Sequence, residues 1–66
     1  MNIHMKDHNQ EKILKLLKER RIITSSELAS FLSISWNTAD KWLLELALDE
    51  KVERMKKSGV NLWMLR

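Results

Sequence analysis

Two histidines, His4 and His8, come closest in this 66-residue sequence to the residue type and spacing of a metal site. Side chains four residues apart can share one helix face, and neutral imidazoles bind zinc and other transition metals. The sequence has no Cys and offers no third ligand beside the two histidines. They also lie in or next to segment 1–7, which we expect to be frayed. We therefore expect no metal or other cofactor, and we interpret both histidines as solvent-exposed.

Catalytic chemistry lacks a suitable set of residues. The serines have no attendant His, the acids show no pairing typical of acid–base catalysis, and the only glycine, Gly59, belongs to a turn. A chain of this length also has little space for a substrate pocket, which typically needs ~300 Å³ or more. The sequence therefore argues against an enzyme.

Charge is distributed unevenly along the chain, which the overall net charge of +3 does not reveal. Residues 1–24 have a net charge of +3, residues 25–50 of −4, and residues 51–66 of +4. A basic chain can bind a polyanion such as nucleic acid. No apolar run approaches the ~18 residues that span a membrane, and residues 1–10 lack the apolar core of a secretion signal. We therefore expect a cytoplasmic protein without a membrane partner.

The elements that must position any site begin with an amphipathic helix. Asp7 is suited to cap it, and the helical period continues to about Arg20. The β-branched pair Ile22-Ile23 interrupts that period and predicts a very short strand. Residues 8–66 are expected to form a single domain after the frayed segment 1–7.

Two further helices are predicted by their capping residues. In "TSSE", Thr24 caps a short helix through a capping box, and this helix ends near Leu32. Ser33-Ile34 makes a tight turn, after which Ser35 caps a third helix over residues 36–50. Two tryptophans, Trp42 in this helix and Trp63 near the C-terminus, are expected in the core.

The segment "VERMKKSGVNLWML" contains two strand-like runs around Ser58-Gly59, which is a hairpin signal because Gly tolerates positive φ. With these two residues as the loop, Lys57 faces Val60 and Arg54 faces Trp63. A loop of three residues would shift this register.

This order of elements, with "ITSSELASFLSISWNTADKWLLELALDEKVERM" across its centre, resembles the winged helix-turn-helix family. The matching features are "IT" before a capped helix, "ELASFL" as that helix, "SIS" as the turn, Thr38 in the third helix, and "KVERM" at the entry to the hairpin. The resemblance covers about residues 8–66. It implies a mainly helical α+β fold with three helices, a short strand and a C-terminal β-hairpin wing. Family members commonly carry Gly at the position of Ser33, so the turn departs from the family pattern there.

The resemblance also implies a function, that of a small transcriptional regulator that reads double-stranded DNA. In the family, outward residues near the start of the third helix enter the major groove, and the wing, here residues 54–61, lies on neighbouring phosphates. Carried over by position, the groove candidates are Trp36, Asn37, Thr38 and Lys41, and the wing candidates are Lys56, Lys57 and Ser58.

These candidates differ in chemistry. The amide of Asn37 suits the major-groove edge of adenine, and Lys41 can donate to guanine or to a phosphate. The hydroxyls of Ser35 and Thr38, and those of Ser25 and Ser26 one helix earlier, suit phosphate oxygens, as do the free amides at the helix start. Capping is nevertheless the main role expected of Ser35, and packing at the core margin is that expected of Trp36.

An alternative hypothesis follows from acidic and apolar residues of the same helix. Asp40 lies on its flank and would repel phosphates, whereas Leu44 and Leu48 lie one turn apart on the side that otherwise faces solvent. In the last strand, Leu62 and Met64 share one face and Trp63 lies on the other, so both faces are apolar. Partner-interface candidates are therefore Leu44, Leu48, Leu62 and Met64. They would be covered either in a homodimeric regulator with two DNA half-site readers or in a protein-docking winged helix that does not bind DNA.

Overall fold

A computed structural model describes Met5 and residues 7–66 of the chain, as three helices and a three-stranded antiparallel sheet. The elements are α1 (Asp7–Arg20), β1 (Ile22–Ile23), α2 (Ser25–Leu32), α3 (Trp36–Leu48), β2 (Val52–Lys57) and β3 (Val60–Leu65). Their order and the hairpin confirm the predicted winged helix-turn-helix fold. Most of the segment expected to be frayed, including His4, lies outside the described residues.

The helix starts follow the capping residues with one correction. Thr24 caps α2 in the predicted capping box: its hydroxyl accepts from the Glu27 amide at 3.1 Å, and Glu27 Oε1 accepts from the Thr24 amide at 2.9 Å. Ser35 caps α3 and accepts from the Thr38 amide at 3.1 Å. Asp7, predicted as the cap of α1, is instead its first helical residue, where its carboxylate suits the positive end of the helix dipole.

All three helices are followed by a left-handed residue that is not glycine, and after α1 this residue is Arg21, with φ 73°. The ends of α2 and α3 share one hydrogen-bond pattern. Ser33 has φ 54°, and the amide of the next residue, Ile34, bonds to the Ala29 carbonyl at 3.0 Å. The end of α3 repeats this arrangement at Glu50, with φ 60°, where the Lys51 amide bonds to the Leu46 carbonyl at 2.9 Å. At both ends the left-handed residue reverses the direction of the chain, so that the next amide donates to a carbonyl that has no partner within the helix. Because of this reversal α3 ends at Leu48, and the predicted end at residue 50 was wrong.

The sheet has the order β1-β3-β2, and its hairpin has the predicted register. Lys57 pairs with Val60 and Arg54 with Trp63. Ser58 and Gly59 have φ 52° and 78° respectively, so both central residues of the turn are left-handed, as a type I′ turn requires. A turn of this type matches the twist of the two strands, and it determines which side chains of the hairpin face the helices.

The core lies between the three helices and one face of the sheet. Ile13 and Leu17 of α1, Leu28 of α2, and Leu43 and Leu46 of α3 are fully buried against Trp63, Ile23 and Val52 of the strands. Trp42 is also buried, so both tryptophans predicted for the core are confirmed there.

No helix within residues 7–66 is long and apolar enough to cross a membrane. Within the same part of the chain, no group of three or more His, Cys, Asp or Glu side chains is arranged to hold a metal ion. His8 is exposed near the start of α1.

Candidate nucleic-acid interface

A groove lies where the start of α2, the start of α3 and the hairpin turn meet. Its lining residues are Thr24, Ser25, Ser26, Trp36, Gly59, Val60 and Asn61. The first turn of α3 and the tip of the wing therefore share one surface. This proximity is the condition that DNA reading by both elements requires, and neither element alone could have established it.

Trp36 forms one wall of this groove and keeps 52% of its surface exposed. About half of the side chain is therefore buried, and its packing at the core margin rather than against a base stays a prediction. Trp36 is the first residue of α3, directly after the cap, and there the helix is turned toward the wing rather than toward the core. Its indole is thus available to an outside partner, next to Gly59 and Val60.

Ser35 and Thr38 are tied to each other at the start of α3. Besides accepting from the Thr38 amide, the Ser35 hydroxyl donates to Thr38 Oγ1 at 2.9 Å. Capping is therefore confirmed as a role of Ser35, whereas the Thr38 hydroxyl keeps its own hydrogen to donate. The earlier amides of a helix have no partner within the helix, so they are directed out of this end of α3.

Asn37 and Lys41 lie four residues apart on α3, and both are exposed. This spacing places them on one side of the helix, one turn from each other. Ser26, in the first turn of α2, is also exposed and lines the groove. The structure therefore brings Ser26, Trp36 and the leading side of α3 together at one end of the molecule.

The two candidate lysines of the wing point to opposite faces of the hairpin. Lys56 pairs with Asn61, and this pair lies on the same side of the sheet as the Arg54–Trp63 pair, the side that faces the helices. Lys57 pairs with Val60 on the other side of the sheet. Both lysines and Ser58 are exposed. Of the two cations, Lys56 has the better orientation for a molecule bound along α3.

Ser25 does not contact the outside as a phosphate ligand would, since only 4% of it is exposed. Its Oγ accepts from Trp63 Nε1 at 3.0 Å and donates to Asp40 Oδ1 at 2.8 Å. The proposal of Ser25 as a phosphate contact is therefore wrong. The bonds join α2, α3 and β3 through one buried hydroxyl, and buried polar groups need such partners.

The same bonds change the role of Asp40. The sequence placed its carboxylate on the flank of α3, where it would repel phosphates. In the fold Asp40 is half-buried and its Oδ1 accepts from Ser25, the first residue of α2. A carboxylate at a helix start is stabilised by the helix dipole, so this charge is engaged inside the protein and less available to oppose an anion outside it.

Two cations of α1, Lys12 and Lys15, do not extend this surface. Lys12 and Lys15 line a separate groove with Phe31 and Leu32, at the C-terminal end of α2. Ser26 and the groove beside Trp36 lie at the N-terminal end of the same helix. Lys12 and Lys15 are thus exposed cations of the same chain outside the candidate interface.

The four partner-interface candidates form two separate surfaces. Leu44 and Leu48, with exposures of 38% and 84%, belong to α3 and line a groove with Ala47 of the same helix and Arg54 of β2. Leu62 and Met64 alternate with the buried Trp63 and therefore lie on the opposite face of the sheet. A single flat interface that contains all four is excluded by this alternation.

Sequence reasoning missed Asn61 and Val60 as groove residues. The hairpin register held the signal, because Asn61 faces Lys56 across the strands and so shares its side of the wing. The predicted register alone could not place this side next to Trp36, because strand pairing says nothing about where a helix packs.

The fold is shared with solved structures of ZitR from Lactococcus lactis. A ZitR variant in complex with DNA matches with a TM-score of 0.80 and 31% sequence identity, over 98% of this chain and 45% of the ZitR chain. A second ZitR variant matches with a TM-score of 0.78 and 29% identity, over 100% of this chain and 49% of that one. The chain therefore spans about half the length of the ZitR chains that it matches. No family model and no curated protein sequence matches it.

Proposed function

We propose that this chain binds double-stranded DNA as a transcriptional regulator, with α3 in the major groove and the wing on an adjacent phosphate strand. The observation that carries the proposal is the shared surface of Trp36, at the leading end of α3, and Gly59, at the wing turn. The likeness to a ZitR variant that was solved in complex with DNA supports it. The cytoplasmic location expected from the sequence is part of the same proposal.

Each part of the surface has a distinct role in this proposal. Asn37 and Lys41 reach base edges, because an amide can bond in two places to adenine and an ammonium can donate to guanine. Ser26, Thr38 and the first amides of α2 and α3 donate to phosphates. Lys56 neutralises a phosphate beside the wing. Trp36 packs against the sugar-phosphate strand that crosses the groove.

The acidic residues of α3 do not prevent this mode of binding. Asp40 is bonded to Ser25. At a rise of about 1.5 Å per residue, Glu45 lies about 14 Å from Trp36, and Asp49, just after the helix, lies about 20 Å from it. Salt screens charges beyond roughly 8 Å at physiological ionic strength. Glu27, at the start of α2, is held by the Thr24 amide and lies 3.8 Å from the Arg20 guanidinium. The potential at the leading end therefore depends mainly on the nearby cations and helix amides.

Fluorescence polarisation with a labelled random-sequence duplex, over a series of salt concentrations, tests the proposal. Log affinity should fall linearly with log salt, by ~0.9 per neutralised phosphate. The double substitution Lys41→Ala with Lys56→Ala should weaken binding and make this slope shallower. The matched control, Lys12→Ala with Lys15→Ala, removes the same charge from the groove at the far end of α2 and should change affinity much less.

Two results would contradict the proposal. One is the absence of duplex binding at low salt by a folded protein. The other is an equal loss of affinity in the two double variants, because this would show attraction by overall charge rather than by the surface around Trp36.

The second candidate function is a protein-interaction module that does not bind DNA. It is favoured by the Leu44–Leu48 surface, since a leucine with 84% exposure is unusual beside a second exposed leucine. Under this function the folded protein shows no salt-dependent duplex affinity, and Leu44→Asp removes an association that a solution-mass measurement detects. Loss of duplex affinity in the Lys41/Lys56 double variant, with no change of mass in Leu44→Asp, would reject it.

A further inference from the structure

The face of the sheet that is turned away from the helices is apolar, and the described helices border it only at its margins. At the β1 side Leu17 and Lys18 of α1 line a groove with Ile22 and Met64, and at the turn Val60 also borders the groove beside Trp36. We name this face the outer sheet face, and its members are Ile22, Met55, Val60, Leu62 and Met64, with Glu53 and Lys57 at the β2 edge. Ile22, Met55 and Val60 have exposures of 46%, 47% and 49%. An apolar patch of this kind, bordered by charges, is typical of a protein interface.

The strand register gives this face an internal symmetry. Met55 pairs with Leu62 in the middle row. Glu53 pairs with Met64 two residues to one side, and Lys57 pairs with Val60 two residues to the other. Opposite charges therefore lie at equal distances from the middle row on β2, and apolar residues lie at equal distances from it on β3.

We propose that a second copy of this chain packs on the outer sheet face, with a two-fold axis that crosses the strands at the Met55–Leu62 row. Such an axis reverses the strand direction of the second sheet but keeps β2 over β2 and β3 over β3. Glu53 of each copy then lies opposite Lys57 of the other, and Met64 lies opposite Val60. The two sheets stack at about 10 Å, the usual distance between packed sheets.

Charge complementarity selects this arrangement over the other face-to-face two-fold. An axis parallel to the strands and centred on β2 places Glu53 over its own copy and Lys57 over its own copy, and like charges repel. The same axis centred on β3 places Glu53 of one copy over Ile22 of the other, so that a carboxylate meets an apolar side chain. Only the axis across the strands pairs every charged residue of the face with an opposite charge.

The proposed dimer also assigns different roles to the two wing lysines. Lys57 pairs with Glu53 of the second copy, whereas Lys56, on the other side of the hairpin, stays free for a phosphate. The Leu44–Leu48 surface takes no part, because it lies beside α3 on the helix side of the sheet. Self-association through the outer sheet face does not depend on DNA binding, and its test is separate.

Sedimentation equilibrium of the full chain, over a concentration series, measures the dimer against the 7.9 kDa monomer. Glu53→Lys and Lys57→Glu each place like charges opposite each other at two symmetric positions, and each should weaken dimerisation roughly tenfold. The combined variant Glu53→Lys with Lys57→Glu restores opposite charges, and its association constant for dimerisation should return most of the way to that of the wild type. Glu11→Lys, which makes the same change of charge as Glu53→Lys but on the exposed side of α1, is the control and should dimerise as the wild type does.

Leu62→Asp, in the middle row, supplies a second measurement and should weaken dimerisation roughly hundredfold, since two carboxylates meet in an apolar interface. Circular dichroism and thermal melting of every variant show whether it is folded. A monomer at all concentrations in the wild type overturns the proposal. A dimer association constant that stays low in the combined charge variant also overturns it. So does a dimer that is broken by Leu44→Asp but not by Leu62→Asp.

Discussion

The two faces of the sheet carry similar amino acids but have different environments. Ile22 and Ile23 are adjacent and identical in type, yet Ile22 is 46% exposed and Ile23 is completely buried. Likewise Trp63 is buried, whereas Met55 and Val60 on the other face are about half exposed. Alternation along a strand decides this difference, and the helices cover only one side. Apolar character alone therefore does not identify the core of this protein; the side of the strand does.

The largest expected effect separates the faces by stability. Trp63→Ala should lower the free energy of unfolding by about 3–5 kcal/mol, because it removes a buried indole and leaves a cavity. Val60→Ala on the outer sheet face should cost less than about 1 kcal/mol in dilute solution, where half of the side chain is already exposed. Urea denaturation followed by circular dichroism measures both. Equal losses in the two variants would refute the difference between the faces.

The next effect concerns the buried hydroxyl of Ser25, which lies behind the inner face of the sheet, the face that packs against the helices. Ser25→Ala removes the partner of both Trp63 Nε1 and Asp40, and should lower the free energy of unfolding by about 1–3 kcal/mol. Ser26→Ala, the neighbouring exposed serine, should stay within about 0.5 kcal/mol of the wild type. The same urea titration compares them. If Ser25→Ala is as stable as Ser26→Ala, the bonds through Ser25 are not needed to hold the inner face.

A smaller effect tests the turn that assigns residues to the two faces. Gly59 has φ 78°, and a Cβ added there would meet no atom within 4 Å, so only backbone strain opposes another residue. Gly59→Ala should therefore destabilise the hairpin by about 1 kcal/mol. Gly59→Asn should recover part of this loss, because Asn tolerates left-handed backbone better than Ala. Thermal melting of the three proteins tests the order wild type, Asn, Ala. An Ala variant as stable as the wild type would contradict the left-handed turn.

The smallest effect compares the two sides of the wing in DNA binding. Lys56→Ala should reduce the slope of log affinity against log salt by about 0.9, the contribution of one phosphate contact. Lys57→Ala, which removes the same charge from the outer side of the wing, should change the slope less. Polarisation titrations of both variants on one duplex provide the test. A larger change in Lys57→Ala would show that the outer side of the wing, not the side next to α3, meets the phosphates.

Local rules were sufficient for most of the fold. The capping box at Thr24, the cap at Ser35 and the two-residue turn at Ser58-Gly59 depend on neighbours within a few residues, and each was predicted correctly. The end of α3 was not, because the reversal at Glu50 uses a non-glycine residue in a left-handed conformation, which sequence patterns rarely mark. The candidate site was harder than the fold for a different reason: its parts come from three segments that are distant in the sequence.

The sequence by itself determined the elements, the hairpin register and the set of residues able to contact DNA, because periodicity, capping and turn chemistry act over short distances. Tertiary structure decided which of these residues meet. It exposed Trp36 beside the wing, buried Ser25 between Trp63 and Asp40, and separated Leu44 from Leu62 by a whole sheet. Such contacts depend on how helices pack against one face of the sheet, and this packing is chosen by the burial of the whole core rather than by any short stretch of sequence.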